Sequence, residues 1–135
     1  MDSKVSGLLS ETLAPEIQKY VYGARLESDF RHVFADMTDV NQAHVLMLAE
    51  RAILTSDTAQ SLARVLIDLE GQGPDAFTLD PAREESYFNY EAKVIEEAGA
   101  EAGGRMHIGR SRNDIKSTID RMRSRRSCLD ILDSL

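Results

Sequence analysis

Hydrogen-bond donors are concentrated in one glycine-rich stretch of the chain, residues 103–114. The stretch reads Gly-Gly-Arg-Met-His-Ile-Gly-Arg-Ser-Arg-Asn-Asp and leads into a helix-like segment. Glycines let a backbone approach a ligand closely, and the start of a helix offers unpaired N–H groups to an anion. Arginine and asparagine side chains are well shaped to bind carboxylates. These residue types in this order predict a site for a carboxylate or a phosphate.

The end of this stretch is expected to begin a helix. Ser111 and Asp114 stand in a capping-box-like relation. Arg110, Arg112 and Asn113 then lie in or just before the first turn, where the helix dipole favours negative charge. The glycine spacing is not that of a P-loop. The alternative to an anion site is a surface loop whose arginines pair with acidic residues elsewhere.

The three histidines have different surroundings. His107, in the glycine-rich stretch, is a candidate hydrogen-bond donor or proton carrier, or a residue that holds the loop backbone. His44 lies among apolar residues, which predicts a hydrogen-bonded and partly buried side chain, whereas His32 is expected at the surface. Their spacing is not that of ligands to a metal, so we expect no metal site.

Other reactive side chains have simple structural explanations. Glu84, Glu85 and Glu91 are candidate general bases, but the first two also favour a helix start. Cys128 is expected in the core of a helical domain. The arginine-rich run 121–126 spreads around a helix without interleaved aromatic residues, which favours a solvated face or an inter-subunit ion-pair network over a nucleic-acid surface.

Composition and charge indicate one globular domain with an anionic ligand. The chain has 135 residues, 42% of them hydrophobic and 29% charged, and a formal net charge of −7. Residues 1–104 carry a net charge of −11, and residues 105–135 carry +4. This distribution argues against general affinity for nucleic acid. A single cysteine, no membrane-length apolar run and no signal-peptide pattern favour the cytoplasm and no membrane contact.

Helical periodicity accounts for most of the sequence, and no segment alternates as a strand would, so we expect an all-α fold. The expected helices cover residues 13–22, residues 29–54, the segment from a cap signal at 55–57 to Gly71, residues 80–98, and residues from 111 onward. Gly23 is expected to break the first helix, Gln60 to form a capping box with Asp57, and residues 99–109 to lack regular structure. The first nine residues predict a flexible start.

The last helix carries an apolar stripe that continues to the end of the sequence. Its apolar residues recur on one face, at Ile115, Ile119, Met122, Leu129 and Leu132. No stop signal precedes Leu135. This pattern predicts that the chain continues in a parent protein or that partner helices cover the stripe.

Residues 104–114 resemble the signature of argininosuccinate lyases, Gly-Lys/Arg-Leu-His-Thr-Gly-Arg-Ser-Arg-Asn-Asp. Residues 22–26 are similar to that family's Trp-Gly-Gly-Arg-Phe motif, residues 43–48 to its Ala-His-x-x-Met-Leu helix, and residues 84–91 to its Glu-Asp-x-His-x-x-x-Glu helix. The resemblance covers about residues 20–135 and only the N-terminal part of a longer family chain.

The resemblance implies a fold and an activity. The fold is the all-α architecture of the fumarase/aspartase superfamily, with an N-terminal helical domain over residues 1–110 and the start of the central bundle helix over residues 111–135. The activity is the elimination of fumarate from argininosuccinate or another N-substituted aspartate, as in arginine biosynthesis. The resemblance also implies a homotetramer or a complementing chain as partner, a small anionic dicarboxylate as substrate, and no metal or organic cofactor.

The resemblance also implies roles for individual residues. Substrate-binding positions fall on Ser111, Arg112, Asn113 and, in the place of a family serine, Asn41. His107, Gly109 and Arg110 support the loop. Tyr87 replaces the helix histidine, and Ile108 replaces the threonine of the signature.

The residues that carry acid and base in this family are not in the sequence. Neither its Thr-His pair nor its Gly-Ser-Ser-x-Met-Pro loop occurs in the 135 residues. The chain alone is therefore expected to be inactive. The alternative function is that of a non-catalytic helical interaction or structural module derived from this fold.

Overall fold

The computed structural model describes residues 13–135, and the regular structure in that range is entirely helical. The α-helices are α1 (Pro15–Ile17), α2 (Ala24–Glu50), α3 (Ser56–Gln72), α4 (Ser86–Ala98), α5 (Ala100–Gly104) and α6 (Arg112–Asp133). A π-helix over Gln18–Gly23 joins α1 to α2, and 3-10 turns over Pro74–Ala76 and Pro81–Arg83 lie between α3 and α4. The all-α prediction is confirmed. The predicted flexible start over the first nine residues lies outside the described part.

Gly23 does not break the first helix, so that prediction is wrong. Its φ of −65° is helical, and the π-helical turn carries the chain directly into α2. A Cβ at Gly23 would lie 2.8 Å from the carbonyl oxygen of Gln18 and 3.4 Å from Cγ of Pro81. The glycine therefore accommodates the Gln18 carbonyl within the π-helical turn, and helical structure begins before the predicted start at Asp29.

The α3 helix carries the predicted apolar stripe and is capped within the predicted region 55–57, but its capping partner and its end differ from prediction. Its buried residues are those that the periodicity selected, Ala59, Leu62, Leu66 and Leu69. Thr55 is the N-cap, and its side chain accepts a hydrogen bond from the Thr58 N–H. Gln60 donates to Ser56 Oγ at 3.0 Å, so the capping box with Asp57 is wrong. The helix passes Gly71 and ends where Gly73 adopts a φ of +77°.

The predicted helix over residues 80–98 is divided in two. Asp80 caps a 3-10 turn by accepting from the Ala82 N–H at 2.9 Å. Glu84 then adopts a φ of +66°, which an α-helix does not allow, and α4 begins only at Ser86. The Asn89 side chain holds this bend, because its Oδ1 accepts from the Asp80 N–H at 2.7 Å.

Residues 99–109 contain a short helix, contrary to prediction. Gly99, with a φ of +83°, ends α4, and α5 follows immediately. The buried Gly103 places the backbone of α5 directly against Ile95 of α4. Glycine here serves close packing between helices rather than irregular structure.

The core lies where α2 meets α3 and α4. Four aromatic rings form its centre: Phe30, Phe34, Phe77 and Tyr90. Phe77 and Tyr90 stack with ring centroids 5.4 Å apart. Around them pack the buried leucines of α3 and Val94 of α4. This core fixes α2 and α4 relative to each other, and both helices contribute side chains to the site described below.

The first half of α6 packs apolar residues on α2, whereas the end of the helix is exposed. Ile115 and Ile119 are buried, whereas Leu129 and Leu132 are exposed, as is every residue from 124 to 135. Cys128 is exposed in this part of the helix, so its predicted place in the core is wrong. No helix among residues 13–135 is long and apolar enough to span a membrane.

Two arginines of the basic run hold α6 on α2. Arg126 pairs with Asp36, a carboxylate that is only 3% exposed, and Arg123 contacts the exposed His32. The run therefore makes ion-pair and hydrogen-bond contacts within the chain as well as presenting a solvated face.

Candidate functional site

The first turn of α6 presents polar groups to solvent. Ser111 is the N-cap: its Oγ accepts from the Asp114 N–H at 3.4 Å, and its own N–H donates to Asp114 Oδ2 at 2.7 Å. This confirms the predicted capping box. Asn113 is exposed, and its side chain makes no hydrogen bond within residues 13–135. The capping box thus fixes the start of the helix, and the amide side chain of Asn113 is available there to bind a ligand.

Arg112 lies over a pair of carboxylates. Its guanidinium is 3.6 Å from Glu85 Oε1 and 3.8 Å from Glu84 Oε2, and it stacks on the Phe88 ring at 4.7 Å from the centroid. A cleft of about 640 Å³, which Arg112 and Tyr87 help to line, opens beside it. The two glutamates lie before α4 rather than in its first turn, and they position the arginine at the cleft.

The half-buried Arg110 and the buried Asn41 form a pair behind this turn. Arg110 Nη2 donates to Asn41 Oδ1 at 2.5 Å and to the Tyr87 hydroxyl at 3.3 Å. Asn41 is fully buried, and Arg110 Nε and Nη1 have no partner within the described chain. The contacts join the loop before α6 to α2 and to α4. Of the residues predicted to bind substrate, Asn41 is thus inside the protein, while Ser111, Arg112 and Asn113 are at its surface.

Tyr87 connects the same loop to α4 at a second point. Its hydroxyl lies 2.8 Å from His107 Nδ1 and 3.5 Å from Glu91 Oε1. Burial raises the pKa of the Tyr87 phenol and of the Glu91 carboxyl. The phenol therefore keeps its proton over the neutral range and acts as a hydrogen-bond donor.

His44 holds the loop from the α2 side. Its Nε2 donates to the backbone carbonyl of Ile108 at 3.0 Å, which fixes the proton on that nitrogen. The residue is half-buried and hydrogen-bonded, as its apolar neighbours predicted. Gly109, the next residue of the loop, has a φ of +77°, a conformation that favours glycine.

Curated proteins similar to this chain are argininosuccinate lyases. Argininosuccinate lyase 1 of Shouchella clausii is 38% identical over 127 residues, which is 94% of this chain and 26% of that protein. Argininosuccinate lyase of Methanocorpusculum labreanum is 35% identical over 130 residues, 96% of this chain and 26% of the relative. That of Haloarcula marismortui is 40% identical over 108 residues, 80% of this chain and 21% of the relative. The chain is argininosuccinate lyase-like.

The similarity extends over nearly the whole chain but over a limited part of each relative. This argininosuccinate lyase-like chain spans about a quarter of the length of the curated relatives that it matches. No protein-family model matches it. Within residues 13–135, no group of three or more histidine, cysteine, aspartate or glutamate side chains is arranged to hold a metal ion.

Sequence reasoning found the helix start but not the contacts that hold the loop before it. Tyr87 was noted only as a departure from the family motif, and Glu91 only as a candidate base. The usable signal was their spacing, because residues four apart lie on one face of a helix. That face of α4 meets His107 and Arg110 in this argininosuccinate lyase-like chain.

We expect the free energy of unfolding to fall as the pH is lowered below about 6.5. Burial, with a further contribution from the Arg110 charge, lowers the pKa of His44 and His107 from their ordinary value of 6.5. In the window below that value the unfolded chain binds more protons than the folded chain. The stability contributed by the neutral histidines is thus complete above the window and lost as the pH falls through it.

Urea denaturation at roughly pH 7.5 and roughly pH 5.5 checks this expectation. His107→Gln should reduce the difference between the two conditions, because the glutamine side chain does not titrate. Glu91 contributes in the opposite sense, because burial raises its pKa and its stability contribution falls as the pH rises above 4.5. Equal pH dependence in wild type and His107→Gln would contradict the expectation for His107.

Proposed function

We propose that this chain is the substrate-binding N-terminal portion of a C–N lyase that eliminates fumarate from argininosuccinate or another N-substituted aspartate. The observation that carries the proposal is the first turn of α6. Ser111, Arg112 and Asn113 stand there at the surface, on a capped helix start, in a chain whose net charge is −7. Similarity to proteins named argininosuccinate lyase supports the same activity.

The proposed role of this turn is to bind a carboxylate whose charge grows during the reaction. In the elimination, a base removes the Cβ proton, negative charge develops on the adjacent carboxylate, and the C–N bond then breaks to release the amine. Preorganised N–H donors at a helix start stabilise such charge more than they stabilise the ground state. Arg112 and Asn113 would hold the carboxylate, and the acid and base would come from outside these 135 residues.

Arg112 can transfer from its present partners to a ligand. Its contacts to Glu84 and Glu85 are longer than 3.5 Å, and its side chain is 44% exposed. Exposed ion pairs of this kind contribute little, on the order of 0–1 kcal/mol, so a bidentate carboxylate competes well for the guanidinium. Asn41 would act from behind, by holding Arg110.

Assembly and location follow as parts of the same proposal. Residues 1–110 would form the N-terminal helical domain and residues 111–135 the start of a central bundle helix. The exposed apolar residues near the end of α6 would be covered in a homotetramer or by a complementing chain. The enzyme would act in the cytoplasm.

Titration of the chain with succinate, followed by amide NMR shifts, tests the binding role. We expect the shifts to concentrate at the amides of residues 111–114. Arg112→Gln and Asn113→Ala should each weaken binding by roughly tenfold, because each removes a donor to a charged group. Arg121→Gln removes an exposed arginine farther along α6 and serves as the control for net charge. Succinate that does not bind the wild-type chain would contradict the proposal.

The complete reaction is tested separately. The protein encoded by the full reading frame should release fumarate, detected by its absorbance, from an N-substituted aspartate. Binding of succinate without fumarate release from any such compound would favour the non-catalytic module.

A further inference from the structure

A single hydroxyl group, that of Tyr87, connects α4 to two polar side chains, His107 and Arg110, of the loop over residues 105–110. It lies 2.8 Å from His107 Nδ1 and 3.3 Å from Arg110 Nη2. The Tyr87 ring also packs on both partners, with its centroid 5.3 Å from that of His107 and 5.7 Å from Arg110 Cζ. The tyrosine is only 6% exposed, so these contacts are shielded from water.

The donors and acceptors around this hydroxyl determine where its proton lies. Arg110 can only donate, so the Tyr87 oxygen is the acceptor in that contact. The one phenol proton must then go to His107 Nδ1 or to Glu91 Oε1. The histidine nitrogen is at 2.8 Å, whereas the carboxylate at 3.5 Å is at the limit of hydrogen-bond geometry. Donation to Nδ1 gives the phenol proton the shorter of its two contacts and places the proton of the neutral imidazole on Nε2.

Several contacts hold the loop in place. Its backbone N–H groups make four turn hydrogen bonds, at 3.1 Å for Arg105, 3.2 Å for Met106, 3.3 Å for Ile108 and 3.4 Å for Arg110, and the Met106 side chain is fully buried. Side chains of the flanking helices hold its polar groups. His44 binds the Ile108 carbonyl and Asn41 binds Arg110, whereas Tyr87 contacts both His107 and Arg110.

We propose that Tyr87 is a positioning residue that fixes the Nε2–H tautomer of His107 and the orientation of Arg110. Through these two residues it holds the loop that places the ligand-binding turn, residues 111–113. The inference rests on the proposed function, because its consequence is measured as affinity for a dicarboxylate. Tyr87 itself touches no ligand in this proposal.

Tyr87→Phe tests the inference, with Tyr90→Phe as its matched control. Tyr90 lies in the same helix and is fully buried, and its hydroxyl lies 3.1 Å from Thr38 Oγ1 and interacts with Asn41, but it does not contact His107. Both changes remove one buried hydroxyl and should lower stability to a similar degree. Long-range ¹⁵N–¹H spectra of the His107 ring report the tautomer, and amide shifts during a succinate titration report affinity.

The expected result separates the two variants. In Tyr87→Phe, the neutral His107 ring should exchange between its Nδ1–H and Nε2–H tautomers. The affinity for succinate should fall by roughly fivefold, which is the effect of one lost hydrogen bond. Tyr90→Phe should leave the His107 ring spectrum as in wild type. An unchanged His107 spectrum in Tyr87→Phe, or an altered spectrum with unchanged affinity, would overturn the inference. Failure of the wild-type chain to bind succinate would instead overturn the proposed function, and the ring spectrum would still test the tautomer.

Discussion

Replacing Gly103 by alanine is expected to destabilise the chain by about 2 kcal/mol and to displace the loop that follows it. A Cβ at this position would lie 2.5 Å from Cα of Ile95 and 3.1 Å from its backbone nitrogen. Both atoms belong to the backbone of α4, so no side chain can rotate to relieve the overlap. The α5 helix must therefore move away from α4. Met106, fully buried three residues later, would lose packing as α5 moves.

Gly104→Ala is the matched control for this substitution. The neighbouring glycine has open space at its Cβ position, with no atom within 4 Å. Alanine there should leave the free energy of unfolding within about 0.5 kcal/mol of wild type, or raise it slightly, because alanine favours the helix. Urea denaturation gives both values, and the His107 amide shift reports displacement of the loop. A Gly103→Ala variant as stable as Gly104→Ala would show that α4 and α5 are not in direct backbone contact.

Local sequence predicts well those features that depend only on residues within one helix. The α3 stripe was predicted residue by residue because apolar spacing of three and four residues is a property of the helix itself. The start of α6 was predicted for a similar reason, since Ser111 and Asp114 form their capping box with each other and need no distant partner.

Glycines were misread where their role depends on a distant segment. Gly23 was predicted to break a helix and Gly103 to lie in a segment without regular structure. Both are helical, and each lies beside other groups of the chain, Gln18 and Pro81 in one case and Ile95 in the other. A glycine gives the same local signal for a break and for a close approach. The sequence alone cannot distinguish them, because the second meaning depends on which helices pack together.

The candidate site was predicted in part for the same physical reason. The ligand-facing turn is a local feature and was found. The cluster behind it joins Arg110 to Asn41, which lies 69 residues earlier in the chain, and to Tyr87, which lies 23 residues earlier. Only the packing of α2 against α4 brings them together. Asn41 was therefore predicted only through its place in a family motif, and its hydrogen bond with Arg110 is seen only in the structure.

Replacing Asn41 by leucine is expected to destabilise the chain by about 3 kcal/mol, because the half-buried guanidinium of Arg110 loses its shorter hydrogen bond. Leucine has a similar volume, so the change removes hydrogen bonds rather than packing. Arg110 Nη2 would keep only the 3.3 Å contact to Tyr87, while its Nε and Nη1 already lack partners within residues 13–135. The guanidinium must then leave the interior or remain there uncompensated. In either case the loop before α6 loses its contact with α2.

Asn41→Asp distinguishes loss of the acceptor from any disturbance at this position. The aspartate retains an oxygen at the right distance and offers Arg110 a full charge, although burying an ion pair offsets much of that gain. We therefore expect clearly less destabilisation than in Asn41→Leu near neutral pH, measured by urea denaturation of both variants. The succinate titration should follow the same order, with the leucine variant binding more weakly, because the loop carries the ligand-binding turn. Equal stability of Asn41→Leu and wild type would mean that Arg110 finds another acceptor and that its pairing with Asn41 does not hold the loop.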